Sequence, residues 1–205
     1  MVGYFAISMV VGFFTWSSVD DWLEHDIRHG NLIVALLKPV HFLSWNYFFE
    51  LGMNILSILL EMIPILIISI IFFSLKLPSS INAIFFAVSI FLASLMYTAI
   101  SFCIGLTAFW LNRIGGIRRM KRILMSFLSG GMIPLVFFPS WYQNISKYLP
   151  FQYLRYESIN IYLGKYTVVQ MSQIVLIQII WSVALLTLGL LIWNKAFKKF
   201  AGAGT

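Results

Sequence analysis

The residues in this sequence that are best suited to chemistry are a few acidic and polar side chains inside long apolar runs. Five of them recur every three or four residues, a spacing that places them on one face of a continuous helix. They are Asn46, Glu50, Asn54, Ser57 and Glu61. A charge at membrane depth costs about 2.5 to 3.5 kcal/mol on insertion scales, so it normally faces protein or water. The last four residues therefore indicate a solute path or a seam between subunits, unless Glu61 is neutralised within the bundle and Glu50 lies in the wet interface.

The second chemical candidate is the charged segment of residues 17–40. Asp20 and Asp21 follow two serines closely, and acids near the positive end of the helix dipole favour a helix start. Gly30 and the asparagine after it indicate the end of that helix. The apolar residues near one of its faces are Val19, Trp22, Leu23 and Ile27. The pattern predicts a short amphipathic helix, which either docks a cytoplasmic partner and passes force to the membrane helices or only lies on the bilayer.

Metal and nucleotide motifs are weak or missing in the sequence. His25 and His29 are four residues apart and could share a metal, but there is no H-E-x-x-H and no third ligand, so we predict solvated histidines and no metal site. The sequence contains neither G-x-x-x-x-G-K-[ST] nor G-x-S-x-G. We therefore predict no catalytic residue, no cofactor and no ATP binding through a P-loop within this chain.

The composition indicates the class of protein in which these residues sit. Hydrophobic residues make up 60% of the 205 residues and charged ones 10%, with a mean hydropathy of +0.90; ordinary soluble domains are about 45–50% apolar and about 25% charged. The apolar runs are continuous, which favours helices over barrel strands, and about 20 apolar residues cross a bilayer core of roughly 30 Å. The sequence predicts an all-α polytopic bundle forming one transmembrane domain over residues 1–205. Its five predicted spans are residues 2–16, 51–75, 81–111, 123–138 and 168–193.

The charges predict the orientation of these spans. The net charge is +7, and ten of the 14 lysines and arginines fall in residues 17–40, in the basic loop at residues 112–122 or in the C-terminal tail. The positive-inside rule places those three regions in the cytoplasm. This topological role is a sufficient explanation of the basic loop, although the loop could also bind anionic lipid head groups. We predict no nucleic acid partner. The N-terminus would then lie outside, so either the first span inserts as a reversed anchor or, as we favour, a sixth span precedes these five.

The fourth predicted span is interrupted. Gly130, Gly131 and Pro134 weaken a helix at mid-membrane depth, where irregular backbone is tolerated only against protein or a water-filled cavity. The following residues 140–166 are too apolar and aromatic for a free loop and contain a break at Pro150. We predict that they form one or two short helices that dip into the outer leaflet.

Two stretches resemble the bacterial ABC type-two permeases, in their branch of small export permeases. Residues 27–40 read IRHGNLIVALLKPV and resemble the family's cytoplasmic signature. Residues 128–164 read LSGGMIPLVFFPSWYQNISKYLPFQYLRYESINIYLG and resemble the re-entrant region after the fifth span. The order of elements matches over nearly the whole chain, and the motifs are silent on substrate.

The resemblance implies six spans in the bacterial cytoplasmic membrane, with both termini inside and a coupling helix between spans two and three. It also implies a second permease half, in a homodimer or heterodimer, and two separate ATP-hydrolysing subunits below. This chain would begin at span two. The coupling helix would carry Asp20, Asp21, Trp22, Glu24, Asp26, Ile27 and Arg28.

Three functions remain open from the sequence. The first is the membrane subunit of an ATP-driven exporter. The second is a solute-binding membrane component of an importer, which would need a polar pocket. The third is an intramembrane enzyme using Glu61 and the two histidines, which is disfavoured because the histidines are predicted outside the membrane.

Overall fold

The computed structural model describes residues 2–37, 39–57, 59–60, 63–64, 67, 70–71, 77–111 and 113–202. Every regular element in those residues is helical, which confirms the predicted all-α class. The helices are α1 (Val2–Phe14), α2 (Val19–His29), α3 (Leu32–Leu36), α4 (Phe42–Ser57), α5 (Ser80–Leu106), α6 (Gly115–Leu128), α7 (Ser140–Ser146), α8 (Tyr156–Tyr162) and α9 (Val168–Gly202). Short 3-10 turns lie at Thr107–Phe109, Leu135–Phe137 and Gln152–Leu154.

Two helices are long and apolar enough to cross a membrane among the described residues. They are the stretches Ser80–Phe109, with 30 residues, and Val168–Ala196, with 29. At about 1.5 Å per residue each exceeds the roughly 30 Å of a bilayer core. The other three predicted spans remain predictions. Glu61, within the second of the five, lies outside the described residues.

Helix α5 is the centre of the bundle, because it contributes to three separate apolar clusters. Its Ile90 lies with α1 and α8, its Phe102 and Leu106 with α2, α4 and α9, and its Met96 with the 3-10 turn at Gln152–Leu154 and α9. Helix α5 begins cleanly because the Ser79 hydroxyl accepts a hydrogen bond from the Asn82 N–H at 3.3 Å, as an N-cap does. The other elements are therefore positioned by what they bury against α5.

Helix α2 begins and ends where its sequence indicates. It starts just after Ser18 and stops at Gly30, whose φ of 74° is the left-handed conformation that glycine adopts without steric penalty. Val19 and Leu23 are fully buried against α5. The backbones come very close at Gly105, where an added Cβ would lie 2.9 Å from the Asp20 Cα.

The basic stretch at residues 112–122 is mostly helix and not the loop that we expected. Helix α6 starts at Gly115 and ends at Leu128, so the predicted span 123–138 begins partway through it and contains the helix end. The helix forms because Arg, Lys, Met and Leu are good helix formers, and its start is anchored by the fully buried Ile114. The side chains of Met120 and Ile123 remain exposed.

Residues 140–166 form two short helices and one 3-10 turn, and they dock on α5 and α9. The Ser158 and Ser89 hydroxyls are 2.7 Å apart, and the Gln178 amide donates to Ser89 Oγ at 2.9 Å and to the Tyr153 carbonyl at 2.8 Å. Ser89 lies nine residues into α5, roughly 13 Å along its axis at 1.5 Å per residue. The segment therefore packs deep along α5 and does not stay at its end.

We expect Gly105→Ala to lower the free energy of unfolding by about 1–3 kcal/mol, because its Cβ would be forced against the α2 backbone. Gly52→Ala on α4 is the matched control, since nothing lies within 4 Å of a Cβ there. Thermal unfolding of both variants in detergent micelles measures the difference. Equal unfolding midpoints for the two variants would contradict the close contact between α2 and α5.

Candidate functional site

The centre of the candidate site is a buried ion pair between α2 and α6. Lys121 Nζ lies 2.7 Å from Asp20 Oδ2, and both side chains are only 2% exposed. The same ammonium donates to Ser101 Oγ on α5 at 2.8 Å and lies 5.3 Å from the centroid of the Tyr97 ring. Burial lowers the pKa of Lys121, and the Asp20 carboxylate opposes that shift. The pair therefore joins three helices through one charged contact.

A second set of ion pairs extends this contact along α2. Arg118 contacts the Asp21 carboxylate, and its Nη2 lies 3.3 Å from Glu24 Oε2. Arg28 Nη1 lies 3.8 Å from Glu24 Oε1 within α2. Glu24 is buried, as Asp20 is. These two acids therefore face α6.

The remaining charged residues of α2 point outward. The side chains of Asp21, His25 and Arg28 are 62%, 60% and 39% exposed, and that of Asp26 is 25% exposed. The His25 and His29 rings stack with centroids 4.2 Å apart. No group of three or more potential metal ligands occurs among the described residues. This outward face is the part of α2 that a second protein could reach.

An open groove lies beside that face, which we call the α2–α4 groove. It has a volume of about 350 Å³ and is lined by Trp22, His25, Asp26, Ala35, Phe42, Trp45, Asn46 and Phe49. Two of these lining residues, Trp22 and Phe49, are in contact, with ring centroids 5.3 Å apart. Ile27 packs on the apolar cluster around Leu23 instead. Of the two apolar residues assigned to coupling, only Trp22 lines the groove.

The predicted polar stripe on α4 divides into a packed half and an open half. Asn46 and Glu50 are buried, and Glu50 Oε1 accepts the Ser18 N–H at the start of α2. A carboxylate there also faces the positive end of the α2 dipole. Asn54 and Ser57 instead line a cavity between α1 and α4. Glu50 therefore fastens α4 to the start of α2.

The second cavity, which we call the α1–α4 cavity, has a volume of about 520 Å³. Its lining residues are Met9, Gly12, Phe13, Trp16, Asn54, Ser57 and Arg155. Arg155 comes from the turn before α8, and its Nε donates to Thr15 Oγ1 at 3.2 Å. Nothing in the sequence pattern singled out this arginine, because it sits in a segment that we interpreted by its aromatic residues.

The helix break after α6 lies against protein. Gly130, with φ 76°, accepts a hydrogen bond at its carbonyl from the Tyr4 hydroxyl at 2.7 Å, and the Gly131 carbonyl accepts one from Ser8 at 3.0 Å. A Cβ at Gly131 would lie 2.7 Å from Arg155 Nη1. These contacts meet the requirement that irregular backbone at membrane depth be satisfied by its neighbours.

The two prolines of the predicted break lie at turns in the same region. Pro134 precedes the 3-10 turn Leu135–Phe137, and Pro150 is buried between α7 and the turn at Gln152–Leu154. Each proline therefore stands where a helix does not continue, as its missing N–H requires.

The ion pairs between the short charged helix α2 and α6 do not by themselves identify a family, and one comparison decides it. The family model described as ABC-2 family transporter protein matches residues 1–204. The chain belongs to this family. Comparisons with curated proteins and with solved structures gave no match. As an ABC-2 family member, the chain is the membrane permease component of an ABC transporter, a class that works with ATP-binding subunits and is not itself catalytic.

Sequence reasoning missed the basic partners in this ABC-2 protein. Lys121 and Arg118 were interpreted as topological charges or as contacts to lipid head groups, yet both pair with α2. The spacing of the acidic and basic residues in the sequence indicates this pairing. Asp20 and Glu24 are four apart and Arg118 and Lys121 are three apart, so each pair occupies one helical face.

We expect Lys121→Met to lower the free energy of unfolding by about 3–5 kcal/mol, because it leaves the Asp20 carboxylate buried without a cation. Asp20→Asn combined with Lys121→Met should recover part of that loss. Arg119→Met, at an exposed position of the same helix, is the control and should change it by less than about 0.5 kcal/mol. Denaturant unfolding in micelles provides the measurement. A Lys121→Met effect no larger than the control would contradict the buried pair.

Proposed function

We propose that the chain is the permease subunit of an ATP-driven exporter in the bacterial cytoplasmic membrane. The observation that carries the proposal is the geometry of α2 in an ABC-2 family member. One side of α2 is clamped to α5 and α6, and the other presents charged side chains beside an open groove. That is the arrangement a helix needs if a cytoplasmic ATPase subunit is to push on it.

The pairing of α2 with α6 supplies a route for the push. A displacement of α2 cannot leave α6 behind without separating the Asp20 and Lys121 charges in a buried site, which is energetically severe. Helix α6 ends directly at the break around Gly130, which is bonded to α1 and α8. Closure of two ATPase subunits would therefore move α6 and the break together and shift the bundle between inward-open and outward-open states. ATP drives the shift because it binds one state better than the other.

The proposed topology has five spans in this chain, at residues 2–16, 51–75, 81–111, 123–138 and 168–193, with α2 in the cytoplasm. Two of these regions contain the long apolar helices α5 and α9. A second permease half, identical or related, would complete the transporter. Export is favoured by the sequence resemblance alone.

A solute-binding component of an importer is the alternative function. The observation that favours it is the α1–α4 cavity, whose lining includes Asn54, Ser57 and Arg155. It predicts uptake of the bound solute and no loss of binding when α2 is altered. Transport measured in oriented vesicles separates the two directions.

We expect Asp26→Lys to abolish recovery of a P-loop ATPase with the tagged chain, because it reverses a charge on the outward face of α2. Trp22→Ala, which empties one wall of the α2–α4 groove, should act in the same direction. The measurement is affinity purification from native membranes, followed by mass spectrometry and assay of ATP hydrolysis.

The matched control is Lys147→Glu, a charge reversal at an exposed position in the segment predicted to lie on the other side of the membrane. It should leave recovery of the ATPase unchanged. Full recovery of the ATPase with Asp26→Lys and Trp22→Ala, at unchanged thermal stability, would overturn the assignment of α2 as the docking helix.

A further inference from the structure

Arg155 is a cation inside the bundle for which the described residues provide no carboxylate partner. Its Nε donates to Thr15 Oγ1, and its terminal nitrogens lie within 3.7 Å of where a Cβ on Gly12 would stand. No acidic side chain in the described part of the chain forms a salt bridge with it. A guanidinium stays charged in proteins, so the charge itself must be stabilised by its surroundings.

The neighbouring backbone leaves room for this side chain. At Gly131 a Cβ would lie 2.7 Å from Arg155 Nη1 and 3.0 Å from its Cδ, so any larger residue would displace the arginine. At Gly12 the equivalent distance is 3.6 Å, which is ordinary contact. The close approach at Gly131 holds the guanidinium against α1, where it borders the α1–α4 cavity.

The cavity beside the guanidinium is mixed in character. Met9, Phe13 and Trp16 form an apolar wall, while Asn54 and Ser57 add an amide and a hydroxyl. Its volume of about 520 Å³ lies within the range of about 300–1,000 Å³ that small-molecule pockets occupy. A planar guanidinium fits the two oxygens of a carboxylate or phosphate, and the apolar wall fits a hydrocarbon body.

We propose that the α1–α4 cavity binds an amphiphile with an acidic head group, whose carboxylate or phosphate pairs with Arg155 while its chain lies along Met9, Phe13 and Trp16. This inference rests on the proposed transport function and names the substrate class for it. The placement of a half-buried arginine beside an apolar wall is then explained, because the ligand brings an anion that the described residues do not supply. Asn54 and Ser57 supply further polar contacts to the head group.

The test uses the purified full chain in nanodiscs of zwitterionic lipid and two matched probes. One is 9,10-dibromostearic acid, and the other is its uncharged methyl ester. Bromine quenches tryptophan fluorescence at short range, and Trp16 lines the cavity. The part of the quenching that is present in the wild-type protein and absent in Trp16→Phe therefore reports binding at this site. We expect saturable quenching by the acid, and Arg155→Gln should weaken its binding at least about tenfold, the equivalent of 1.4 kcal/mol. The ester should bind equally to both proteins.

A second variant keeps the test valid if Arg155→Gln does not fold. Ser57→Phe leaves Arg155 in place and fills the cavity, so it should also abolish saturable quenching of Trp16. Inorganic phosphate added as a competitor distinguishes a free anion from an amphiphile, and it should displace the acid only weakly. A phosphatidylglycerol with brominated chains tests whether a membrane lipid is the source of the acidic head, and its binding should depend on Arg155 in the same way.

Three results would overturn the proposal. The first is equal binding of acid and ester in the wild-type protein. The second is displacement of the acid by phosphate as effectively as by unlabelled stearate. The third is binding of the acid only in Glu61→Gln, which would show that Glu61 neutralises Arg155 within the chain. The binding assay contains no ATPase subunit, so a negative result in it does not affect the test of ATPase docking on α2. A negative result in the docking test likewise does not affect the binding assay.

Discussion

The structure depends above all on one buried ion pair, in which Asp20 of α2 faces Lys121 of α6 at 2.7 Å. Separating these charges inside the protein would leave each without compensation, and the energetic cost would exceed that of most other local changes in the bundle. The Ser101 hydroxyl adds α5 to the same contact. The pair therefore fixes which side of α2 is turned inward, and the outward side, with Asp26 and His25, follows from it.

The same constraint connects α2 with the helix break after α6. Helix α6 leads from Lys121 to the break at Gly130, and the break is bonded to α1 through Tyr4 and Ser8. Gly131 in turn holds Arg155 beside the α1–α4 cavity. A coupling route requires an element with two arrangements that both sites can bias, and we propose that α6, which ends at this break, is that element.

Much of this could be predicted from the sequence, and the remainder has a physical reason. The helical class and the limits of α2 follow from apolar run length and from capping signals such as Gly30, and the structure agrees with both. The burial of Asp20 and Glu24 was not predicted, because a hydrophobicity pattern treats every charge as exposed and does not know that a basic helix lies opposite. Arg155 was missed because its position depends on a close contact with Gly131, which is distant from it in the sequence.

The central claim is that α2 is the surface through which ATP hydrolysis reaches the bundle. Cysteine cross-linking tests it most directly, because the chain has a single cysteine, Cys103, that Cys103→Ser removes. Asp26→Cys and Lys147→Cys would then each be made in that background and exposed to a short bifunctional thiol reagent in native membranes. The account predicts a cross-link from position 26 to a P-loop ATPase, with a yield that changes when ATP binds, and none from position 147. An equal yield from both positions, or a cross-link from position 147 alone, would contradict it.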